Sequence, residues 1–155
     1  KAQYNMKGEV PTSSDFVLPL GKADLKRTGK DVTVVTYGRM LERVLKAADK
    51  ALEKGIEVEV VDLMTLMPLD KEAIINSAKK TGRVLLVNDA HKTGGFLGEI
   101  AATIIESDAF DYLDSRILRL AAEDIPTPYN RSLEIAMLPD VDRILEYIER
   151  LYNKR

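Results

Sequence analysis

Val32-Thr33-Val34-Val35-Thr36-Tyr37 is an almost unbroken β-branched run that stops at Gly38. A strand with water on one face alternates apolar and polar residues. This one does not, so it reads as a strand buried on both faces, as in a parallel sheet. Downstream, Leu41, Val44, Leu45, Ala48, Ala51 and Leu52 recur at helical spacing up to Lys54, and Gly55 stands at the helix C′ position. Val58-Glu59-Val60-Val61-Asp62-Leu63 is a second strand. Pro68-Leu69 leads to Asp70, an N-cap residue, and Glu72 places a negative charge in the first turn of a helix striped by Ile74, Ile75 and Ala78. Gly82 closes that helix.

The alternation continues. Val84 to Asn88 is a third strand, Thr93-Gly94-Gly95 turns the chain, and Phe96, Leu97, Ile100, Ala101 and Ile104 form the next helical stripe. Ile117 to Leu120 is a short fourth strand. Asp124-Ile125-Pro126-Thr127-Pro128-Tyr129 is neither helix nor central strand, because its two prolines remove donors and push their neighbours into extended forms. Pro139-Asp140 opens a last helix with Val141, Ile144, Leu145, Ile148 and Leu151 inward. Upstream, Ala23 to Arg27 adds an edge strand that turns through Thr28-Gly29-Lys30. Repeated β-α units with short connections and right-handed crossovers predict a three-layer α/β/α sandwich.

Composition narrows the function. The 155 residues make about one domain, and 45% apolar with 31% charged residues is a globular composition. With no Cys, thiolate metal sites and Cys nucleophiles are excluded. With a single His, a metal site would rest on carboxylates plus His91. This points away from self-contained catalysis, although carboxylates and Lys also catalyse. A net charge of -2 argues against nucleic acid as a partner. No apolar run reaches the roughly 18 residues of a transmembrane helix. Residues 1–54 carry a net +4 and residues 55–155 a net -6, with no block of like charge long enough to be a tail. Residues 1–15 are polar, contain Gly8, Pro11, Ser13 and Ser14, and lack the apolar core of a secretory signal. They read as a linker from something upstream or as a frayed terminus.

Three places carry candidate chemistry. Thr93-Gly94-Gly95, with Lys92 beside it, lies between a strand and a helix, where backbone N–H groups meet anions. The same glycines also serve a tight turn alone. His91 and Asp89 form a candidate acid–base pair, or His91 is a surface or interface residue. Glu106-Ser107-Asp108-Ala109-Phe110-Asp111-Tyr112-Leu113-Asp114 has four acids and no base. Asp108, Asp111 and Asp114 share a face if the segment is a helical turn. They would bind a hard cation, dock a basic partner, or form a solvated rim.

Several segments, taken in order, resemble one family. They are residues 16–23 (Phe16 to Ala23), Asp31 to Gly38, Val61-Asp62-Leu63 through Pro68-Leu69-Asp70, His91-Lys92-Thr93-Gly94-Gly95-Phe96 with Gly98-Glu99-Ile100-Ala101, Asp124 to Tyr129, and Leu138-Pro139-Asp140. The resemblance is to the C-terminal half of the β subunit of thiamine-diphosphate-dependent 2-oxo acid dehydrogenases of pyruvate, branched-chain and acetoin types.

This resemblance implies a transketolase C-terminal-like fold over residues 16–155, with a mostly parallel sheet of about five strands and one antiparallel edge strand. It makes residues 1–15 the linker from a missing pyrimidine-binding domain. It implies no catalytic, cofactor or metal residue in this chain; thiamine diphosphate and Mg²⁺ belong to the parent complex. The implied role is assembly. The partners are the α subunit, a second β subunit, and the basic peripheral-subunit-binding domain of the lipoyl acyltransferase. Asp114, supported by Asp111 and the terminal carboxylate of Arg155, would contact that domain. No nucleic acid or membrane partner is implied, and the setting would be the cytoplasm or the mitochondrial matrix. The alternative is a free-standing domain that binds small anions at the Gly94-Gly95 turn.

Overall fold

The computed structural model describes residue 3 and residues 7–153. Five strands form one sheet: β1 (Asp24–Arg27), β2 (Val32–Thr36), β3 (Val58–Asp62), β4 (Val84–His91) and β5 (Leu118–Ala122). Their spatial order is β1-β3-β2-β4-β5, and only the β1–β3 pairing is antiparallel. Helices α1 (Met40–Glu53), α2 (Lys71–Thr81), α3 (Leu97–Ile105), α4 (Arg131–Ala136) and α5 (Val141–Tyr152) complete the domain. No described helix is long and apolar enough to cross a membrane.

The double burial of Val32 to Thr36 follows from the layers. Val34 pairs with Val60 and Leu85, and this row faces α1 and α5. Val35 pairs with Val61 and Leu86, and that row faces α2 and α3. Adjacent residues of one strand therefore feed two cores. Each fully buried Val, Leu or Ile contributes about 1.5–3 kcal/mol.

The predicted stops are where the chain stops. Asp70 accepts from the Ala73 amide at 3.1 Å, and its other oxygen accepts from Ala23 at 3.0 Å, tying the start of the edge strand to the helix cap. Gly82 ends α2 at φ 65°, and Asp140 caps α5 through Arg143.

Four details differ from the sequence reading. β4 continues past Asn88 to His91, because a register shift lets His91 reach Ala122 of β5 after the apolar stretch has ended. β5 starts one residue later than Ile117 and ends at Ala122. Ser107 caps a 3₁₀ turn over Asp108–Tyr112, so Asp114 lies beyond the turn. Finally, α4 follows the proline segment, capped by Asn130; it buries no residue, so it leaves no apolar stripe to read.

Candidate functional site

Gly82 organises the acidic segment. Its left-handed conformation suits a residue without Cβ, and an added Cβ would lie 2.9 Å from the Tyr112 carbonyl and 3.0 Å from the Asp114 carboxyl. The Gly82 carbonyl accepts from the Asp114 amide at 2.8 Å. Arg83 then reaches the Asp114 carboxylate at 3.3 Å, while the Asp114 side chain stays 58% exposed. On the other side of Gly82, Lys79 pairs with Asp108, and its ammonium sits 5.3 Å from the centroid of the Tyr112 ring.

The segment without a base thus receives two bases from the end of α2 and the start of β4. Among the described residues Asp111 makes no ion pair, and it is exposed. Asp108 and Asp111, three apart in a 3₁₀ turn, project in line, whereas Asp114 is held separately by Gly82. Basic residues in the last turn of α2 are visible in the sequence; their apposition to the acidic turn requires the fold. Arg155 lies outside the described residues.

A crevice opens at the carboxyl ends of β2 and β4, where the chain switches direction across the sheet. Its polar groups are largely paired with one another. The Asn88 amide nitrogen donates to the Tyr37 hydroxyl at 2.9 Å, and Tyr37 packs edge-on against Phe96 with ring centroids 6.4 Å apart. Asp89 pairs with Arg39 at 2.8 Å. His91 Nε2 lies 2.9 Å from the Ile125 carbonyl; a carbonyl only accepts, so Nε2 carries the proton. The candidate Asp89–His91 pair, set in the sequence against a surface or interface role for His91, is not formed: each side chain has a different partner, because Arg39 follows β2 and Ile125 follows β5.

The glycine turn holds an anion of its own chain. The Thr93 amide donates to Asp124 Oδ1 at 3.0 Å and the Thr93 hydroxyl to Oδ2 at 2.6 Å. These bonds hold the Asp124 carboxyl below its ordinary range. Gly95 has a packing reason: a Cβ there would meet the His91 carbonyl at 2.1 Å. Gly94 has φ 69° and faces open space.

A diphosphate needs several free donors, and its metal needs clustered carboxylates. Here Thr93 is spent on Asp124 and Arg39 on Asp89, and among the described residues no group of three or more His, Asp or Glu is placed to hold a metal ion. The residues present do not fit thiamine diphosphate with its metal, and no chemical step is derived through it.

One surface escaped the sequence reading. The outer side of α3 carries Gly98, Ala101, Ala102 and Ile105 beside a single exposed acid, Glu99. The signal was present, since the apolar residues of this helix fill more than one stripe.

The chain is thus a doubly wound α/β/α domain with one antiparallel edge strand, a crevice whose polar groups pair with one another and a charged rim. The family description "Transketolase, C-terminal domain" matches residues 21–144, and the chain belongs to that family. It is 50% identical over 145 residues to the 2-oxoisovalerate dehydrogenase subunit beta of Bacillus subtilis, covering 93% of this chain and 44% of the relative. It is 41% identical over 151 residues to the pyruvate dehydrogenase E1 component subunit beta of Rhizobium meliloti, covering 97% of this chain and 33% of the relative. A solved structure described as a split gene transketolase, inactive beta4 tetramer, has the same fold, with TM-score 0.71 and 24% identity over 92% of this chain and 45% of that one. The chain spans less than half the length of these relatives.

Proposed function

We propose that this chain is the C-terminal assembly domain of the β subunit of a thiamine-diphosphate-dependent 2-oxo acid dehydrogenase. The parent reaction is oxidative decarboxylation of a 2-oxo acid with acyl transfer to lipoyl-lysine. In the parent, thiamine diphosphate and Mg²⁺ bind outside this domain, to the α subunit and the N-terminal part of β. This chain's own contribution is contact: with the α subunit, with a second β subunit, and with the basic peripheral-subunit-binding domain of the acyltransferase core. The setting is the cytoplasm, or the mitochondrial matrix in a eukaryote.

The observation that carries the docking reading is the presentation of Asp114. Its backbone is fixed to Gly82 at 2.8 Å while its side chain stays more than half exposed. A carboxylate held on a fixed backbone loses little freedom when a cation arrives. Asp111, exposed and without an ion pair among the described residues, adds to the local negative potential. Truncating one member of a buried interfacial charge pair costs about 2–5 kcal/mol, whereas a rim charge acts mainly on the on-rate.

The test is surface plasmon resonance with the cognate acyltransferase's subunit-binding domain at two salt concentrations. Asp114→Asn should weaken binding at least about tenfold (about 1.4 kcal/mol) with the melting temperature held. Wild-type binding by that variant would return the acidic segment to a solvated rim. The anion-turn alternative predicts that phosphate-bearing ligands bind at Gly94-Gly95; the occupation of the Thr93 donors by Asp124 weighs against it.

A further inference from the structure

Residues 124–136 leave the domain and return to the same place. At the neck the Glu123 amide donates to the Met137 carbonyl at 3.1 Å, and Met137 and Leu138 form a buried cluster with Ala122. Arg143 reinforces this neck by pairing with the Glu123 carboxylate at 2.8 Å. Beyond the neck the segment has no interior. Pro128 is half-buried, and every other residue from Asp124 to Ala136 is exposed, including Ile125, Tyr129, Leu133 and Ile135.

The hydrogen bonds within the segment are local. The Asn130 side chain accepts from the Ser132 and Leu133 amides, and the Glu134 amide donates to the Asn130 carbonyl. The bonds that reach another element start from the first two residues. The Asp124 carboxylate accepts from the Thr93 amide and hydroxyl, and the Ile125 carbonyl accepts from His91 Nε2. Ordering a chain costs conformational entropy at every residue, and here no apolar burial offsets it. Nor does α4 hold itself together, since a helix of 6 residues is too short to be stable alone. A segment closed at a buried neck, bare along its length and tied at one edge is the kind of unit that opens while the remainder stays folded.

We propose that residues 124–136 form a flap that opens and closes as one unit about the Glu123–Met137 neck, with the Asp124 carboxylate on the Thr93 donors as its latch. Closed, the chain's own carboxylate fills the donors of the turn between β4 and α3. Open, the Thr93 amide and hydroxyl and the His91 Nε2 proton return to water. The inference is independent of the assembly reading, because it needs neither Asp114 nor a partner chain.

Native-state hydrogen exchange, followed by NMR in urea below the unfolding transition, tests it. In the wild-type chain the Thr93 amide, at the latch, and the Glu134 amide, in α4, should share one opening constant. That constant should barely respond to urea, because opening exposes little surface, whereas exchange at Val34 in the central strand should rise steeply. Two variants separate the flap from global unfolding. Ile148 lies in the core whether the flap is open or closed. Ile148→Val should therefore speed exchange at Val34 about two- to tenfold and leave Glu134 unchanged. Asp124→Ala releases the latch and should speed exchange at Glu134 at least about tenfold. If that variant does not fold, Thr93→Val, which removes the hydroxyl donor alone, should act in the same direction. Equal acceleration of Val34 and Glu134 by Ile148→Val overturns the proposal, since the segment would then open only with the whole domain. Unequal opening constants at Thr93 and Glu134 deny the single unit. A Glu134 amide indifferent to loss of the latch denies the latch, and one that exchanges in wild type as fast as an unstructured chain denies the closed state.

Discussion

Thr93 grips Asp124 with both of its donors, the hydroxyl at 2.6 Å and the amide at 3.0 Å, so the turn between β4 and α3 is closed by a carboxylate from beyond β5. Together with the His91 to Ile125 contact, this pins the start of the proline segment. The carboxyl is held below its ordinary range, first by the Thr93 hydroxyl and then by the Thr93 amide. An acid whose folded-state pKa is depressed stabilises the fold above its unfolded pKa, and that contribution is lost as pH falls through the folded value. Asp124→Ala should therefore melt below wild type at neutral pH. The two melting curves should converge once the pH falls below the depressed folded-state pKa. Parallel curves at all pH values would show that the Thr93 clamp has no ionic component.

Asp62 works in the opposite direction. Burial at the end of β3 raises its pKa, only partly offset by the Met64 amide, which donates to it at 3.3 Å. Asp24 lies opposite it on β1, and Lys26 is the cation on that side. For an acid with a raised folded-state pKa, stability falls as pH climbs from the unfolded value through the folded one, and the penalty is complete above it. Asp62→Asn keeps an oxygen for Met64 and removes the charge. It should raise the melting temperature at neutral pH, and the gain should vanish in acid. A variant that melts below wild type at pH 7 would contradict this.

The carboxylate of Glu59 is 2% exposed and pairs with Lys80, whose side chain is 46% exposed. Removing one member of a buried pair strands the other. Lys80→Met should cost about 3 kcal/mol, the low end of the range for buried pairs, because water already reaches the lysine. Glu59→Leu with Lys80→Met should cost less than Lys80→Met alone. Urea denaturation of wild type, Lys80→Met, Glu59→Leu and the double variant checks the order and closes the cycle, and an additive double variant would deny the coupling.

How much of this was legible depended on range. The Val32 to Thr36 run, the Asp70 cap, the helix start at Pro139-Asp140 and the Gly82 stop are local signals, and each stands where it was read. The antiparallel edge strand came from the family resemblance and is present as β1 (Asp24–Arg27). The extension of β4 to His91 was not legible, because it depends on a bridge to β5. Nor were the partners of the acidic segment: Lys79 and Arg83 are distant in sequence from Asp108 and Asp114, and only the packing of the 3₁₀ turn beside α2 joins them. The His91–Asp89 pair failed for the same reason. Asp89 and His91 are neighbours in sequence, but their partners, Arg39 and the Ile125 carbonyl, are brought in by other strands.

Gly82 ties the fold to the proposed docking surface, so one substitution reads both. A residue with a Cβ in the left-handed region costs about 1–2 kcal/mol. Here the Cβ would also press on the Tyr112 carbonyl at 2.9 Å and the Asp114 carboxyl at 3.0 Å. Backbone cannot move aside as a flexible side-chain tip can, so Gly82→Ala should cost at least about 2 kcal/mol. It should also displace Asp114 from its bond to the Gly82 carbonyl. At a temperature where the variant is still folded, its affinity for a basic subunit-binding domain should fall, with the loss in the off-rate. Asp114→Asn should lower the same affinity with the stability held. If Gly82→Ala is destabilised yet docks like wild type, Asp114 does not depend on this turn for its position. If Asp114→Asn also docks like wild type, the docking contact belongs to Asp111 or lies elsewhere on the rim.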